Sequence, residues 1–207
     1  FAAEMSRLGL TNKDAIIVYD GTGVFSAPRA WWSLRIFGHD NVAVLDGGLP
    51  AWLAAGNVAV SGTANPEKSN FETNFRPDLV RSLTQIRDNL ESGAEQVIDA
   101  RGSGRFDGRE PEYRPGLRSG HIPGSTNLPY PGLVDSADNT LLPADKLAVA
   151  FSAVGVDLLR PITTTCGSGI SAAVIALALF VCGHKDASVY DGSWTEWGGR
   201  NDTLIDP

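Results

Sequence analysis

Two stretches of the chain share one order of apolar and polar positions. In the first, the apolar, β-branched run Ala15–Tyr19 leads through a glycine-rich turn into a longer apolar segment. That segment carries Trp31, Trp32, Leu34, Ile36 and Phe37. In the second, Pro161–Thr165 leads through a similar turn into Ile170–Cys182, which Gly183 ends. Short β-branched runs predict buried strands and the longer segments predict helices, so the order strand, loop, helix and strand indicates a parallel α/β sheet.

An internal repeat supports this organisation. Gly38–Trp52 can be laid on Gly183–Trp197 without a gap, and Gly, His, Val, Asp, Gly and Trp recur at the same offsets. We interpret this self-similarity as a duplication. Asp20 and Cys166 occupy the first loop position after the strand in the two copies. The sequence therefore predicts two similar α/β units.

A polar segment with two prolines, Ser61–Asp78, separates the copies and is interpreted as a linker. It divides the chain into a first unit at 1–60 and a second at 79–207. The second unit has much more chain ahead of its loop than the first, in which only 19 residues precede Asp20. We therefore expect the first unit to lack roughly 50 residues of its front part.

The second unit contains further elements before its loop. The sequence predicts a short helix at Leu83–Leu90, a strand at Gln96–Ala100 as the first strand of the unit, and another helix at Leu147–Val154.

Composition and charge narrow the function. Apolar residues make up 43% and charged residues 20%, which is typical of a globular protein. The net charge of −7 argues against nucleic-acid binding, which normally needs a basic face. The longest apolar run, Ala172–Cys182, is shorter than the ~20 residues that span a bilayer, so no membrane partner is expected. Two cysteines favour a reducing compartment, and we expect a cytoplasmic or mitochondrial location.

Cys166 lies where a strand passes through a glycine-rich loop into a helix. Backbone N–H groups converge at such a turn, and the helix N-terminus adds partial positive charge, so the thiolate is favoured over the thiol. Gly167 and Gly169 let the backbone wrap around an anion, and the Ser168 hydroxyl is a candidate proton relay. We predict that Cys166 is a nucleophile and that Cys182, at the end of an apolar helix, is core filler.

Three motifs carry a resemblance to a known family. Cys166–Ser171 (CGSGIS) resembles the active-site loop of the 3-mercaptopyruvate sulfurtransferases, within the rhodanese superfamily. Gly120–Ser125 and Val189–Trp197 resemble the N-terminal and C-terminal signatures of that superfamily. The resemblance implies two rhodanese-like domains in tandem, the second catalytic and the first inactive, with Asp20 in place of the cysteine.

The resemblance also implies the chemistry. The Cys166 thiolate would take the sulfur of an anionic donor as a persulfide and pass it to cyanide or to a thiol such as thioredoxin or a small thiol, without metal or organic cofactor. Gly167, Gly169, Ile170 and Ser171 would contact the substrate. A histidine and an aspartate near the loop would come from the front of the first domain, outside this sequence.

Arginines are clustered ahead of the loop. They are Arg101, Arg105, Arg109, Arg114 and Arg118. The resemblance places two substrate-binding arginines on Arg105 and Arg114, and planar guanidinium groups suit a carboxylate beside a ketone. We expect Arg109 and Arg118 to pair with acidic residues of the same loop, and Arg101, directly after a strand, to form a structural ion pair.

Several alternatives remain at this point. Thiosulfate is a second candidate donor, although the uncharged residues after Cys166 favour mercaptopyruvate. A cysteine phosphatase is largely excluded, because it needs an arginine six residues after the cysteine, where this chain has Ala172. A non-catalytic sulfur-relay or interaction module is the remaining alternative.

The three histidines lie in Gly-His turns, lack metal-ligand spacing and are expected to be structural: His39, His121 and His184.

Overall fold

The computed structural model describes residues 1–62 and 64–207. Within them the first unit contains α1 (Ala2–Arg7), β1 (Ile16–Val18), α2 (Ala27–Ile36), β2 (Val42–Val44) and α3 (Gly48–Ala54). β1 pairs with β2 in parallel, and α2 is the crossover between them. The β-branched run and the apolar segment of the first repeat therefore form the predicted strand and helix.

The second unit forms a five-stranded sheet. Its elements are β3 (Val80–Arg81), α4 (Leu83–Ser92), β4 (Gln96–Asp99), α5 (Ser103–Phe106), β5 (Thr126–Asn127), α6 (Ala144–Ala153), β6 (Ile162–Thr165), α7 (Ile170–Val181), β7 (Ser188–Tyr190) and α8 (Ser193–Trp197). The strand order is β3-β7-β6-β4-β5, and all paired strands are parallel. The α/β class with parallel sheets and flanking helices is confirmed. Cys166 follows β6, the central strand.

One prediction about this sheet is wrong. The strand predicted at Gln96–Ala100, now β4, is not the first of the second unit, because β3 precedes it. In β3, Val80 is paired with Val189 and Arg81 with Tyr190 of β7. A two-residue strand is too short to show an alternating pattern, and only its pairing with β7 defines it.

The segment predicted as a linker runs along the first unit. Its residue 63 lies outside the described residues. The Phe71 side chain is buried, and its backbone N–H donates to the Ser6 hydroxyl at 3.0 Å. The N–H groups of Asn74 and Arg76 donate to carbonyls at the end of α2. These hydrogen bonds tie the second half of the segment to the first unit, and the domain boundaries themselves stay a prediction.

The two units share one core, in which α2 packs against α7. Trp31 and Trp32 of α2 are buried; the Trp31 ring meets Phe180 edge-on at 5.3 Å, and the Trp32 indole N–H donates to the Leu79 carbonyl. α7 is apolar on nearly all sides because it is covered on nearly all sides. Among the residues with described structure, no helix has the length and apolar character needed to cross a bilayer.

The loop of the first unit surrounds a carboxylate. The Asp20 side chain accepts hydrogen bonds from the backbone N–H groups of Thr22, Phe25, Ser26 and Ala27, at 2.8–3.0 Å. Burial by itself would raise the pKa of Asp20, but these hydrogen bonds outweigh it and lower the pKa from 3.8 to about 2. A strand-to-helix turn of this repeat is therefore built to hold negative charge.

Asp20→Asn is expected to lower the free energy of unfolding at pH 7 by about 1–2 kcal/mol, after allowance for solvent screening of this partly exposed group. The folded-state pKa lies below the unfolded value, so the carboxylate stabilises the fold above pH 4 and loses this effect as the pH falls towards 2. Urea unfolding at several pH values should show the wild type and the variant converging in acid. Asp107→Asn, at an exposed ion pair, is the control with little effect. A constant difference down to pH 2 would contradict the role of the charge.

Candidate active site

Backbone amides point at the sulfur of Cys166. The side chain is buried between the end of β6 and the start of α7, with 2% of its surface exposed. Its Sγ accepts hydrogen bonds from the N–H of Gly169 at 3.0 Å and the N–H of Ser168 at 3.4 Å. These donors stabilise negative charge on sulfur. The predicted convergence of amides on Cys166 is therefore confirmed.

The start of α8 holds the outer side of the loop. The N–H of Trp194 donates to the Cys166 carbonyl at 2.8 Å, and Thr195 donates to the Gly167 carbonyl through both its N–H and its hydroxyl. The Cys166 N–H in turn donates to the Ser193 hydroxyl. The loop carbonyls are thus turned towards α8, which leaves the later amides free to face the sulfur.

A side chain at Gly169 would displace Arg29. Its φ is +78°, in the left-handed region that favours glycine. A Cβ would lie 2.5 Å from Arg29 Nη1 and 3.2 Å from Asp191 Oδ1. Arg29 belongs to α2 of the first unit, so both units contact the loop at this point.

A cavity of about 520 Å³ opens onto Cys166. It brings together six of the residues predicted from the sequence: Arg105, Arg114, Gly167, Ser168, Ile170 and Ser171. Gly169 lies behind the wall and contributes its amide. Phe25 of the first unit and Tyr130 also line the cavity, with ring centroids 5.3 Å apart.

Arg105 is held against the cavity wall by two neighbours. Its guanidinium lies over the Tyr113 ring, 4.3 Å from the centroid, and its Nη1 is 3.4 Å from Glu112 Oε2. Glu112 is nearly buried, with 4% of its side chain exposed. The other Glu112 oxygen contacts Arg101 Nη1 at 2.7 Å. Glu112 therefore links a cavity arginine to a core arginine.

Arg101 forms the structural ion pair expected of it. Its guanidinium is fully buried, pairs with Asp99 at 2.7 Å and lies over the Trp194 ring. Burial alone would lower the pKa of Arg101, but the carboxylates of Asp99 and Glu112 raise it. The cation therefore stays charged inside the protein and fixes the position of Glu112.

Arg114 is joined to the Cys166 loop through Thr195. Its Nη1 donates to the Thr195 hydroxyl oxygen at 2.9 Å, and that hydroxyl donates to the Gly167 carbonyl at 2.6 Å. Both predicted substrate arginines thus lie at the cavity, while their contact with a substrate stays a prediction. Arg109 pairs with Asp107 at the surface, as expected.

The expectation for Arg118 is wrong. Its guanidinium donates to the backbone carbonyls of Trp197, Gly198 and Thr203 and not to an acidic residue of its own loop. Carbonyls left over at a helix end attract a cation, and here α8 offers them. The contact spans about 80 residues of sequence and leaves no local signal.

The histidines have structural surroundings, as predicted. A ring nitrogen of each lies 3.0–3.2 Å from a backbone carbonyl: His39 at Asn41, His121 at Phe106 and His184 at Leu158. Within residues 1–62 and 64–207, no group of three or more His, Cys, Asp or Glu side chains is placed to hold a metal ion.

Sequence reasoning missed the residues that reach the site from a distance. Phe25 and Arg29 come from the first unit, and Thr195 and Asp191 follow β7. Asp191 and Thr195 lie within the repeated motif, which is the one signal that marks them. No pattern along the chain indicates that Arg29 contacts the loop, because the contact depends on how α2 packs on α7.

Comparisons with known proteins agree with this geometry. The rhodanese-like domain family matches residues 2–55 and 82–200. Thiosulfate/3-mercaptopyruvate sulfurtransferase 1, mitochondrial, of Arabidopsis thaliana is 45% identical over 100% of this chain and 60% of its own length. Human 3-mercaptopyruvate sulfurtransferase is 40% identical over 95% of this chain and 67% of its own.

A solved structure shows the same fold. This structure is SseA from Escherichia coli, a 3-mercaptopyruvate sulfotransferase with the rhodanese fold. It superposes with a TM-score of 0.83 and is 38% identical in sequence, and the match covers 94% of this chain and 72% of SseA. The chain spans about 60% of the length of the Arabidopsis relative. The tandem architecture predicted from the repeat is confirmed, and the chain belongs to the rhodanese family.

Proposed function

We propose that this protein is a sulfurtransferase that moves the sulfur of 3-mercaptopyruvate, through a persulfide on Cys166, to a thiol or cyanide acceptor and releases pyruvate. One observation carries the proposal: the sulfur of Cys166 lies under two loop amides at a cavity that also holds Arg105 and Arg114. The names of the Arabidopsis and human relatives support it.

In the first step, the Cys166 thiolate attacks the sulfur of the donor. The new S–S bond forms as the C–S bond of 3-mercaptopyruvate breaks, and its electron pair passes to carbon as the enolate of pyruvate, which takes up a proton. In the second step an acceptor thiolate attacks the outer sulfur and returns the Cys166 thiolate. Neither step needs a metal or organic cofactor. The Cys166 sulfur acts first as the nucleophile and then as the leaving group, and the transferred sulfur is the electrophile in both steps.

The loop amides suit the persulfide intermediate. Asp20, at the matching position of the first domain, already places the two oxygen atoms of a carboxylate among the amides of such a turn. A persulfide on Cys166 would likewise add a second atom able to accept hydrogen bonds at the start of α7. Oriented N–H donors stabilise that charge without reorganisation during the reaction.

The donor is held by the arginines. Arg105 and Arg114 supply planar donors for the carboxylate and keto oxygens of 3-mercaptopyruvate, with Glu112 and Thr195 orienting them. Thiosulfate is the second candidate donor, because the Arabidopsis relative is named for both. The loop residues after Cys166 carry no charge, which favours the singly charged mercaptopyruvate over a dianion.

The acceptor is a thiol of a small molecule or of a protein such as thioredoxin. The cavity is open enough for an incoming thiolate, since Tyr113 at its edge is 82% exposed. The mitochondrial name of the Arabidopsis relative supports the expected cytoplasmic or mitochondrial location.

Cys166→Ser is expected to reduce pyruvate release from 3-mercaptopyruvate at least about a thousandfold, because serine cannot accept sulfur as a persulfide. Mass spectrometry after a single turnover should show one added sulfur on the Cys166 peptide of the wild type. Cys182→Ser, which removes the other cysteine, is the control with unchanged turnover. Retained turnover in Cys166→Ser would refute the proposal.

Arg114→Ala is expected to raise KM for 3-mercaptopyruvate by about 10- to 100-fold, because one charge-assisted hydrogen bond to the substrate is lost. Arg109→Ala, an exposed arginine of the same loop that pairs with Asp107, is the matched control and should leave KM unchanged. Steady-state kinetics decides between them, and equal KM values for all three proteins would remove Arg114 from the substrate site.

A direct comparison of donors tests the substrate class. We expect a higher kcat/KM for 3-mercaptopyruvate than for thiosulfate, with cyanide as the common acceptor, because a single carboxylate matches the uncharged loop. Pyruvate and thiocyanate production report the two reactions. A preference for thiosulfate would assign the second candidate donor instead.

A further inference from the structure

One guanidinium of the first domain contacts the catalytic loop of the second. Arg29 Nη1 donates to the Gly169 carbonyl at 3.3 Å, and Arg29 Nη2 pairs with Asp191 Oδ1 at 2.6 Å. Gly169 is the residue whose N–H lies closest to the Cys166 sulfur. We propose that Arg29 is a positioning residue, through which the first domain holds the loop amides on Cys166.

The surroundings of Arg29 fix its orientation. It lies in the first turn of α2, and its guanidinium stacks over the Trp32 ring, 4.4 Å from the centroid. Trp32 itself is buried at the interface of the domains. An exposed ion pair would contribute little by itself, but the aromatic face on one side and Asp191 on another restrict the planar group to one geometry. The contact with Gly169 therefore depends on the docking of α2.

The loop needs this contact at its later end. The Cys166 and Gly167 carbonyls are bonded by α8, and that support stops before Gly169. Gly169 has no side chain, and glycine is the residue with the greatest backbone freedom. Arg29 both binds its carbonyl and fills the space beside its Cα, where a Cβ would come within 2.5 Å of Nη1. The Gly169 carbonyl is also the N-cap carbonyl of α7, so one side of this residue is already fixed by the helix. Without the guanidinium, the Ser168–Gly169 peptide, which carries the amide, would gain freedom to turn about the φ of Gly169 and away from the sulfur.

The first domain shows how the same turn is held in another way. There, the Asp20 carboxylate bonds four backbone amides at once and organises its own loop. Cys166 offers a single sulfur atom, which engages two amides. A loop that must accept and release an outer sulfur cannot be held in shape by a permanent anion. In the second domain, the contact with Arg29 holds the loop instead.

The test compares two arginines of α2. Arg29→Ala removes the contact with the loop, whereas Arg35→Ala removes a buried arginine that bridges the domains far from the loop, at the Lys185 carbonyl and the Phe180 ring. If the proposed sulfur transfer holds, we expect Arg29→Ala to lower kcat about 10- to 100-fold with KM for the donor little changed, because Arg105 and Arg114 remain. Arg35→Ala should lower the thermal midpoint but keep kcat.

A second readout does not depend on sulfur transfer. Alkylation of Cys166 by iodoacetamide is followed by peptide mapping across a pH series, with Cys182 as the internal reference. Across the series, Cys166 should be alkylated more slowly in Arg29→Ala and at the wild-type rate in Arg35→Ala, because only the first variant loses an amide at the sulfur. The charged groups Arg105, Arg114 and Asp191 are present in both.

The outcomes separate the two proposals. A wild type that transfers sulfur from neither donor would refute the proposed function, while the alkylation series still decides the role of Arg29. Equal behaviour of Arg29→Ala and Arg35→Ala in that series, or a change in KM alone, would overturn the positioning role. If Arg29→Ala does not fold, Arg29→Lys replaces it. Its ammonium cannot lie on Trp32 while contacting both Gly169 and Asp191, so kcat should still fall, and a wild-type profile would overturn the proposal.

Discussion

Hydrogen bonds from backbone amides to a negative charge, at the turn between a strand and a helix, are the interaction on which both domains are organised. In the first domain the charge is the permanent carboxylate of Asp20, whose pKa the amides lower to about 2. In the second domain the amides of Ser168 and Gly169 donate to the sulfur of Cys166. The duplicated turn therefore holds a carboxylate in one copy and a cysteine sulfur in the other, and the side chain at one position makes the difference.

The site belongs to the domain interface as much as to the second domain. Packing of α2 on α7 buries Trp31 and Trp32 and carries Arg29 and Phe25 to the cavity. Burial of large aromatic side chains supplies most of the stabilisation at such an interface, and it is non-directional. The polar contacts that cross the interface fix how the two domains are oriented. One of them, between Arg29 and the Gly169 carbonyl, reaches the Cys166 loop itself.

Ionic contacts inside the second domain connect the core to the cavity. The chain from Asp99 through Arg101 and Glu112 to Arg105 begins at the end of a central strand, fully buried, and ends at a guanidinium in the cavity wall. Breaking one member would leave an uncompensated buried charge, which is more costly than the pair is stabilising. Such a network restricts Arg105 to one orientation, so its hydrogen-bond donors at the cavity are pre-organised.

The amino-acid sequence by itself determined the two α/β units and the loop at Cys166, because each depends on local pattern: strand and helix periodicity, the repeat of Gly38–Trp52, and the turn residues around Cys166. The two cavity arginines were predicted from the family resemblance of the motifs. Only the tertiary structure decided the two-residue strand β3, the carbonyl partners of Arg118 and the reach of Arg29. These features depend on contacts between residues far apart in the chain. Their geometry follows from how helices and strands pack, and no sequence pattern of a single segment records it.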